Sequence, residues 1–187
     1  TRDGFGEGLV EAGKKDKRVV AVSADLKEST RLNLFADEFP DRFFEVGVAE
    51  QALVTIASGM ANYGKIPFVA SYAAFSPGRN WEQIKTTIAL NNVPVKIVGA
   101  HAGLSASIYG ATHQASEDIA LMRTLPNMVV IVPCDAIEAK KATLEAAKNG
   151  KPTYIRLTRD TSPVITSDKT PFKIGKSLIF WESKNPL

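Results

Sequence analysis

A single cysteine, Cys134, stands in 187 residues, so no internal disulfide can form, and the expectation is a protein of a reducing compartment, the cytoplasm. No apolar run approaches the ~20 residues of a membrane-spanning helix, and the start of the chain lacks the pattern of a signal peptide. Neither membrane insertion nor secretion is expected. Charge of one sign is lacking too. Twenty-three Lys and Arg face twenty Asp and Glu, a net of +3, which suits anionic metabolites but falls short of a nucleic-acid footprint. Histidine is scarce: His101 and His113 are the only two, and without a nearby cysteine or acid their spacing makes a poor metal signature. The phosphate loop G-x-x-x-x-G-K-[ST] is absent. Gly4-Phe-Gly6-Glu-Gly8 has the wrong spacing for a dinucleotide fingerprint and no strand before it. No internal repeat or low-complexity tract is present.

What remains is ordinary globular material, with 44% hydrophobic, 23% charged and 8% aromatic residues, enough for a packed core without a staple. Short β-branched runs at Arg18–Ser23, Phe43–Val46, Pro67–Ala70, Val95–Gly99, Met128–Val132 and Thr153–Leu157 read as strands. Helical patterns fill about 3–14, 31–38, 49–62, 79–91, 115–124 and 135–148. The last opens on Asp135-Ala-Ile-Glu138, a capping-box pattern, and closes on Asn149-Gly150. This alternation predicts a doubly wound α/β layer: a mostly parallel six-stranded sheet with helices on both faces. The expected domain spans 1–160. Residues 161–187 read either as a linker into a further domain, with a strand pair beginning over Phe172–Trp181 and the chain stopping at Asn185-Pro-Leu187, or as a strap across the surface. The basic runs Lys14–Arg18 and Lys140-Lys141 read as solvated helix ends.

Open parallel sheets bind ligands outside the carboxyl ends of their strands, so the residues following each strand carry the candidates. After the second strand, Glu50 falls in the first turn of a helix whose next residues are almost all apolar or small. That composition predicts a helix without a polar face, buried all round, and a desolvated carboxyl suited to sharing a proton. The same acid can equally complement a helix dipole. Tyr72 and Phe75 follow the third strand three residues apart, close enough to face one ligand or simply to pack in the core. His101 and His113 flank a glycine-containing loop after the fourth strand.

Several ordered landmarks carry a resemblance. Ser23-Ala-Asp-Leu26, Val46-Gly-Val-Ala-Glu-Gln51, Thr112-His-Gln114, Leu125-Pro-Asn-Met128, Pro133-Cys-Asp135 and Leu157-Thr-Arg159 together resemble the pyrimidine-binding domain of thiamine-diphosphate enzymes, transketolase in particular, over roughly residues 1–160. The resemblance implies that Glu50 bonds ring nitrogen N1′ of the cofactor's aminopyrimidine, favouring the imino form of the 4′-amino group, which takes the thiazolium C2 proton. It implies that Phe75 stacks on the pyrimidine with Tyr72 beside it, and that Asp25 lies near the cofactor. His101 and His113 would handle sugar oxygens and protons, while Arg2, Ser29 and Arg159 would hold a sugar phosphate, with His101 helping. The implied reaction moves a two-carbon ketol unit from a ketose phosphate to an aldose phosphate.

Two departures from the family pattern stand out. Gly78 occupies a place where many transketolases carry another aromatic, and Ile108-Tyr-Gly110 replaces an acidic stretch before Thr112-His-Gln114, which bears on the donor sugar. The GDG of a diphosphate domain is missing, and Asn91-Asn92 lacks that upstream partner. The resemblance therefore implies that Mg2+ is held through a partner diphosphate-binding domain or subunit, in a homo- or hetero-oligomer, with this chain the C-terminal section of a split enzyme or a fragment, inactive alone. Neighbouring readings are deoxyxylulose-phosphate synthase, the β-subunit of a 2-oxo-acid dehydrogenase, or a catalytically silent interaction module.

Overall fold

The structure, a computed structural model, describes residues 1–183; Asn185–Leu187, expected as the stop of the tail, lies outside them. Six strands, β1 (Val19–Ser23), β2 (Phe43–Glu45), β3 (Ile66–Tyr72), β4 (Lys96–Ala100), β5 (Val129–Ile131) and β6 (Thr153–Arg156), form one sheet in the order β2-β1-β3-β4-β6-β5. Every neighbouring pair is parallel. The helices are α1 (Arg2–Lys15), α2 (Asn33–Glu38), α3 (Glu50–Asn62), α4 (Trp81–Gln83, continuing as a π-helix over Ile84–Ala89), α5 (Asp118–Arg123) and α6 (Ala136–Lys148). The sequence patterns thus place every strand to within two residues. The loosened end of α4 has a local cause: the Thr86 and Thr87 hydroxyls donate to the carbonyls of Glu82 and Gln83, at 3.0 and 2.6 Å, in competition with the helix ladder.

The sheet buries both faces, which is why its strands read as nearly unbroken apolar runs. Val19, Ala21, Phe68, Ala70, Val98 and Ile155 point to one side and pack with Phe5, Leu9 and the alanines of α6. Val22, Val69, Ile97 and Tyr154 point to the other and meet Leu53, Val54, Ile84, Ile88 and Met122. The period of two is visible within these strands. Gly4 and Gly8 are explained by packing rather than by any nucleotide: a Cβ on Gly4 would run into the Ala136 carbonyl, and one on Gly8 would lie 2.9 Å from the Lys140 carbonyl oxygen. Bare backbone on α1 is what lets α6 approach.

Helix α6 begins with reciprocal caps. The Asp135 carboxylate accepts the Glu138 N–H at 2.9 Å, and Glu138 reaches back to the Cys134 N–H at 2.7 Å. Asp135 also fastens the tail, accepting the N–H groups of Ile165 and Thr166 and the Thr166 hydroxyl at 2.7–2.9 Å. Lys141, expected to be a solvated helix end, instead donates to the carbonyls of Ser167, Asp168 and Thr170. Residues 161–171 therefore lie as a strap along α6. The strand pair expected over Phe172–Trp181 is not formed among the described residues. Phe172 and Ile174 pack on the core while Ile179 and Trp181 are exposed, and among the described residues no second strand takes the backbone donors of this segment.

The expectation of a helix buried on all sides is corrected for α3. Its stripe of Glu50, Leu53, Val54, Ala57, Ser58 and Ala61 is buried, whereas Gln51, Thr55, Ile56 and Gly59 are exposed. The helix lies on the outside of the sheet, so only one stripe meets strands. The small and apolar residues opposite remain uncovered in the single chain.

Candidate active site

The chain runs from β1 to β2 on one side and from β3 to β4 on the other, the reversal that opens a crevice at the carboxyl ends of parallel strands. Four loops reach this edge. Asp25 follows β1, Glu50 follows β2, Tyr72 closes β3, and His101 follows β4.

Glu50 is the first residue of α3 and is 2% exposed. Its Oε2 accepts from Nη1 of Arg79 at 2.7 Å, and the Glu50 backbone carbonyl accepts from Nδ2 of Asn80 at 2.8 Å. Asn80 is itself buried, and its Oδ1 has no partner among the described residues. A buried carboxylate held by a charge-assisted bond is fixed in direction. The Arg79 side chain is half exposed, and its guanidinium carbon lies 4.9 Å from the Phe75 ring centroid. Sequence reasoning missed Arg79 and Asn80 entirely. The one available signal was that Arg79 lies four residues beyond Phe75, one helical turn away.

Five rings close the crevice floor. Tyr72 lies 6.0 Å from Phe75, 3.9 Å from His101, 6.1 Å from His113 and 6.2 Å from Tyr109, centroid to centroid. Phe75 meets His113 edge-on at 5.2 Å, and Tyr109 stacks with His113 at 5.1 Å. Tyr109, noted in the sequence only as a departure from an acidic stretch, therefore joins the aromatic group. Gly78 could not carry an aromatic in this backbone, because even a Cβ there would collide with the Ala74 carbonyl.

His101 is 2% exposed, sits in the left-handed backbone region at φ 56°, and leaves Nδ1 without a partner among the described residues. Burial, reinforced by repulsion from Arg2 and Arg159, pushes its imidazole down to about 4. At neutral pH it is an uncharged ring, able to give or take a hydrogen bond but not to act as a cation. His113 is less buried, with Nδ1 2.9 Å from the Thr112 hydroxyl. The loop between the two histidines is pinned by paired backbone bonds between Gly103 and Ala115. Beneath it lies a buried network in which Asp118 accepts from the Tyr154 hydroxyl at 2.7 Å and from Nε of Arg156 at 2.9 Å.

The arginines of the mouth sit as a clip. Arg2 donates to the backbone carbonyls of Ser29 and Arg159, each at 2.7 Å, which joins the start of α1 to two loops. Ser29 enters through its carbonyl, and Arg2 uses part of its fork on protein. Arg159 pairs with Asp160 at 2.9 Å and lies over Tyr109. The structure thus brings Arg2, Ser29, Arg159, His101, His113, Tyr72 and Phe75 to one crevice, with Glu50 joined through Arg79. Asp25 stands apart: it is exposed, at φ 59°, with its N–H given to the Glu45 carboxylate at 2.8 Å. Among the described residues no group of three or more His, Cys, Asp or Glu could hold a metal ion, and no helix is long and apolar enough to cross a membrane. Val48, Leu104 and Ile108, around the crevice, are each 70% or more exposed.

Residues 1–164 match the family described as "Transketolase, pyrimidine binding domain". The chain is 43% identical over 186 residues to a protein of Methanocaldococcus jannaschii named "Putative transketolase C-terminal section", covering 98% of this chain and 59% of that one. It is 39% identical over 180 residues to the 1-deoxy-D-xylulose-5-phosphate synthase of Syntrophus aciditrophicus, covering 95% of this chain and 27% of that one. Among solved structures, one titled "Split gene transketolase, inactive beta4 tetramer" aligns at 44% identity and a TM-score of 0.83 over 92% of this chain and 55% of the other. The chain therefore spans little more than half the length of relatives of the first kind.

Proposed function

The chain belongs to the transketolase pyrimidine-binding domain family, and from that premise we propose that it supplies the aminopyrimidine-activating half of a thiamine-diphosphate site. The whole enzyme, on this reading, moves a two-carbon ketol unit from a ketose phosphate to an aldose phosphate. The observation that carries it is Glu50, a fully enclosed carboxylate at the carboxyl edge of the sheet, one guanidinium away from the half-buried face of Phe75.

The residues fit the group on three counts. Glu50 can accept or share a proton with a ring nitrogen, Phe75 offers an aromatic face, and the unpartnered Oδ1 of Asn80 and Nδ1 of His101 are buried polar atoms short of a ligand. Thiamine diphosphate, when bound, supplies the carbon–carbon bond chemistry. Glu50 holds the proton at N1′, and its burial keeps water from competing for it. Phe75 and Tyr72 orient the ring plane. His113, the more accessible imidazole, is placed to exchange protons with sugar hydroxyls. His101, kept neutral, donates or accepts a single bond to a sugar oxygen. Arg2 and Arg159 hold the substrate phosphate at the mouth with their remaining donors. Asp25, tied to Glu45, contributes to the turn more than to this constellation. Mg2+ and the diphosphate fall to a partner domain or subunit, which the exposed Val48, Leu104 and Ile108 are suited to cover.

Reconstitution tests the proposal. The chain, in its full-length form and combined with a diphosphate-domain partner, thiamine diphosphate and Mg2+, is expected to transfer a ketol unit between sugar phosphates, and neither half to do so alone. Glu50→Gln in the pair should retain the fold by circular dichroism and lose activity by ~10²-fold or more. Full activity in that variant would remove Glu50 from the chemistry. Decarboxylation of pyruvate in place of ketol transfer would move the assignment to the synthase branch.

A further inference from the structure

The half-exposed Arg79 makes the same two contacts that the proposed cofactor ring would make. Its Nη1 donates to Oε2 of Glu50 at 2.7 Å, and its planar guanidinium lies 4.9 Å from the Phe75 centroid. A flat, nitrogen-edged cation bonded to a buried carboxylate and resting on an aromatic face is a close chemical stand-in for a protonated aminopyrimidine. The Glu50 side chain is 1% exposed while that of Arg79 is 50% exposed, so the carboxylate is fixed by its surroundings and the arginine is the member of the pair free to move.

We infer that Arg79 is an internal occupant of the pyrimidine subsite, closing Glu50 while the crevice is empty and swinging off when the cofactor enters. This deepens the proposal above and rests on it. Its origin is physical. A buried carboxylate with no partner is costly, and an empty subsite would leave Glu50 in that condition. Arg79 supplies the missing charge without being locked in place, because half of its surface remains hydrated. The stem is anchored where it can pivot: the next residue, Asn80, is buried and bonded to the Glu50 carbonyl at 2.8 Å, so the arginine cannot drift away from the acid it covers. The consequence is competition. A site whose binding-competent form is a minority of the unliganded population shows an affinity lowered by that fraction, and an ion pair of this partly exposed kind holds the closed form in excess by about tenfold.

The test uses the assembled pair and reads cofactor binding, not turnover. Thiamine diphosphate is titrated by calorimetry, with Mg2+, into complexes carrying wild-type chain, Arg79→Ala or Arg79→Lys. Arg79→Ala is expected to bind about tenfold more tightly than wild type. Arg79→Lys, a cation without the planar fork, should fall between. The guanidinium resonances of Arg79, followed by nitrogen NMR, should lose their restricted rotation when the cofactor is added to the wild-type pair. If Arg79→Ala binds equally or more weakly, or if those resonances stay restricted in the loaded complex, Arg79 holds Glu50 in place and the inference fails. Failure of the underlying reading looks different: wild-type complex would then not bind thiamine diphosphate at all, or Glu50→Gln would bind and turn over normally.

Discussion

Lys96 offers a test of how the sheet tolerates charge. It lies in β4, is 0% exposed, and its Nζ donates to Oδ1 of Asn149 at 2.7 Å and to the Lys151 carbonyl at 2.6 Å. Both acceptors are neutral. Burial pushes the amine down from 10.5 to about 7. At ~1.4 kcal/mol per pH unit, that fall corresponds to a handicap of up to ~5 kcal/mol for folding a protonated lysine. The unfolded chain keeps the proton up to its ordinary value, whereas the folded chain releases it near 7. Between those limits the unfolded state binds more protons, so the wild-type contribution to stability rises with pH across that window and is flat below it. Lys96→Met keeps the length and removes the charge. It orphans little, because Asn149 Oδ1 still receives the Lys151 N–H at 2.9 Å and the Lys151 carbonyl still receives the Thr153 hydroxyl at 3.0 Å. The variant is therefore expected to be more stable than wild type at pH 7 by roughly 1–4 kcal/mol, with the gap narrowing by up to ~1.4 kcal/mol per pH unit toward pH 10. Urea unfolding of both proteins at intervals from pH 6 to pH 10 measures it. Parallel stability curves, or a destabilised variant at pH 7, would refute the reasoning.

Further outcomes follow from other buried groups. Asp135→Ala should cost about 2 kcal/mol, since it removes a helix cap and three strap bonds, and limited proteolysis should then cut within 161–171. The Asp135 carboxyl is held below its usual value, burial opposing and the bonds from Glu138 and Thr166 prevailing; its stabilising effect is thus present above the ordinary carboxylate value and vanishes as pH falls through the lowered one, so the alanine variant should show a shallower acid limb in thermal melts. His101 should keep neutral-imidazole NMR shifts down to about pH 5 and titrate near 4; because this value lies below that of an unfolded histidine, its effect weakens the fold as pH drops from ~6.5 toward 4. A charged His101 at pH 7 would contradict that. Tyr154→Phe should destabilise by ~1–2 kcal/mol, leaving Asp118 with Arg156 alone, as read by denaturant midpoint.

The sheet was legible because burial on both faces leaves a local trace, a run of mostly apolar and β-branched residues, in the inner strands β1, β3 and β4. The cap at Asp135 was legible for a similar reason: Glu138 stands three positions away. Glu50 could be placed at a strand's carboxyl end from sequence, but Arg79, twenty-nine positions further on, reaches it only through the fold. The Asp118–Tyr154 pair spans thirty-six positions and left no local mark either. Lys96 sat unremarked inside an apolar run, since nothing in that run says whether a strand residue near its start reaches solvent. The uncovered face of α3 misled in another way, because composition reports how greasy a helix is and not which of its sides a single chain covers.

The bare crossing of α1 over α6 ties two distant places together. Gly4 rides against Ala136, and two positions earlier on the same rod Arg2 grips Ser29 and Arg159. One added methyl at Gly4 would press the rod away from α6 and disturb that grip, so the clip that joins the start of the chain to two distant loops is set by the absence of a side chain two positions along the helix.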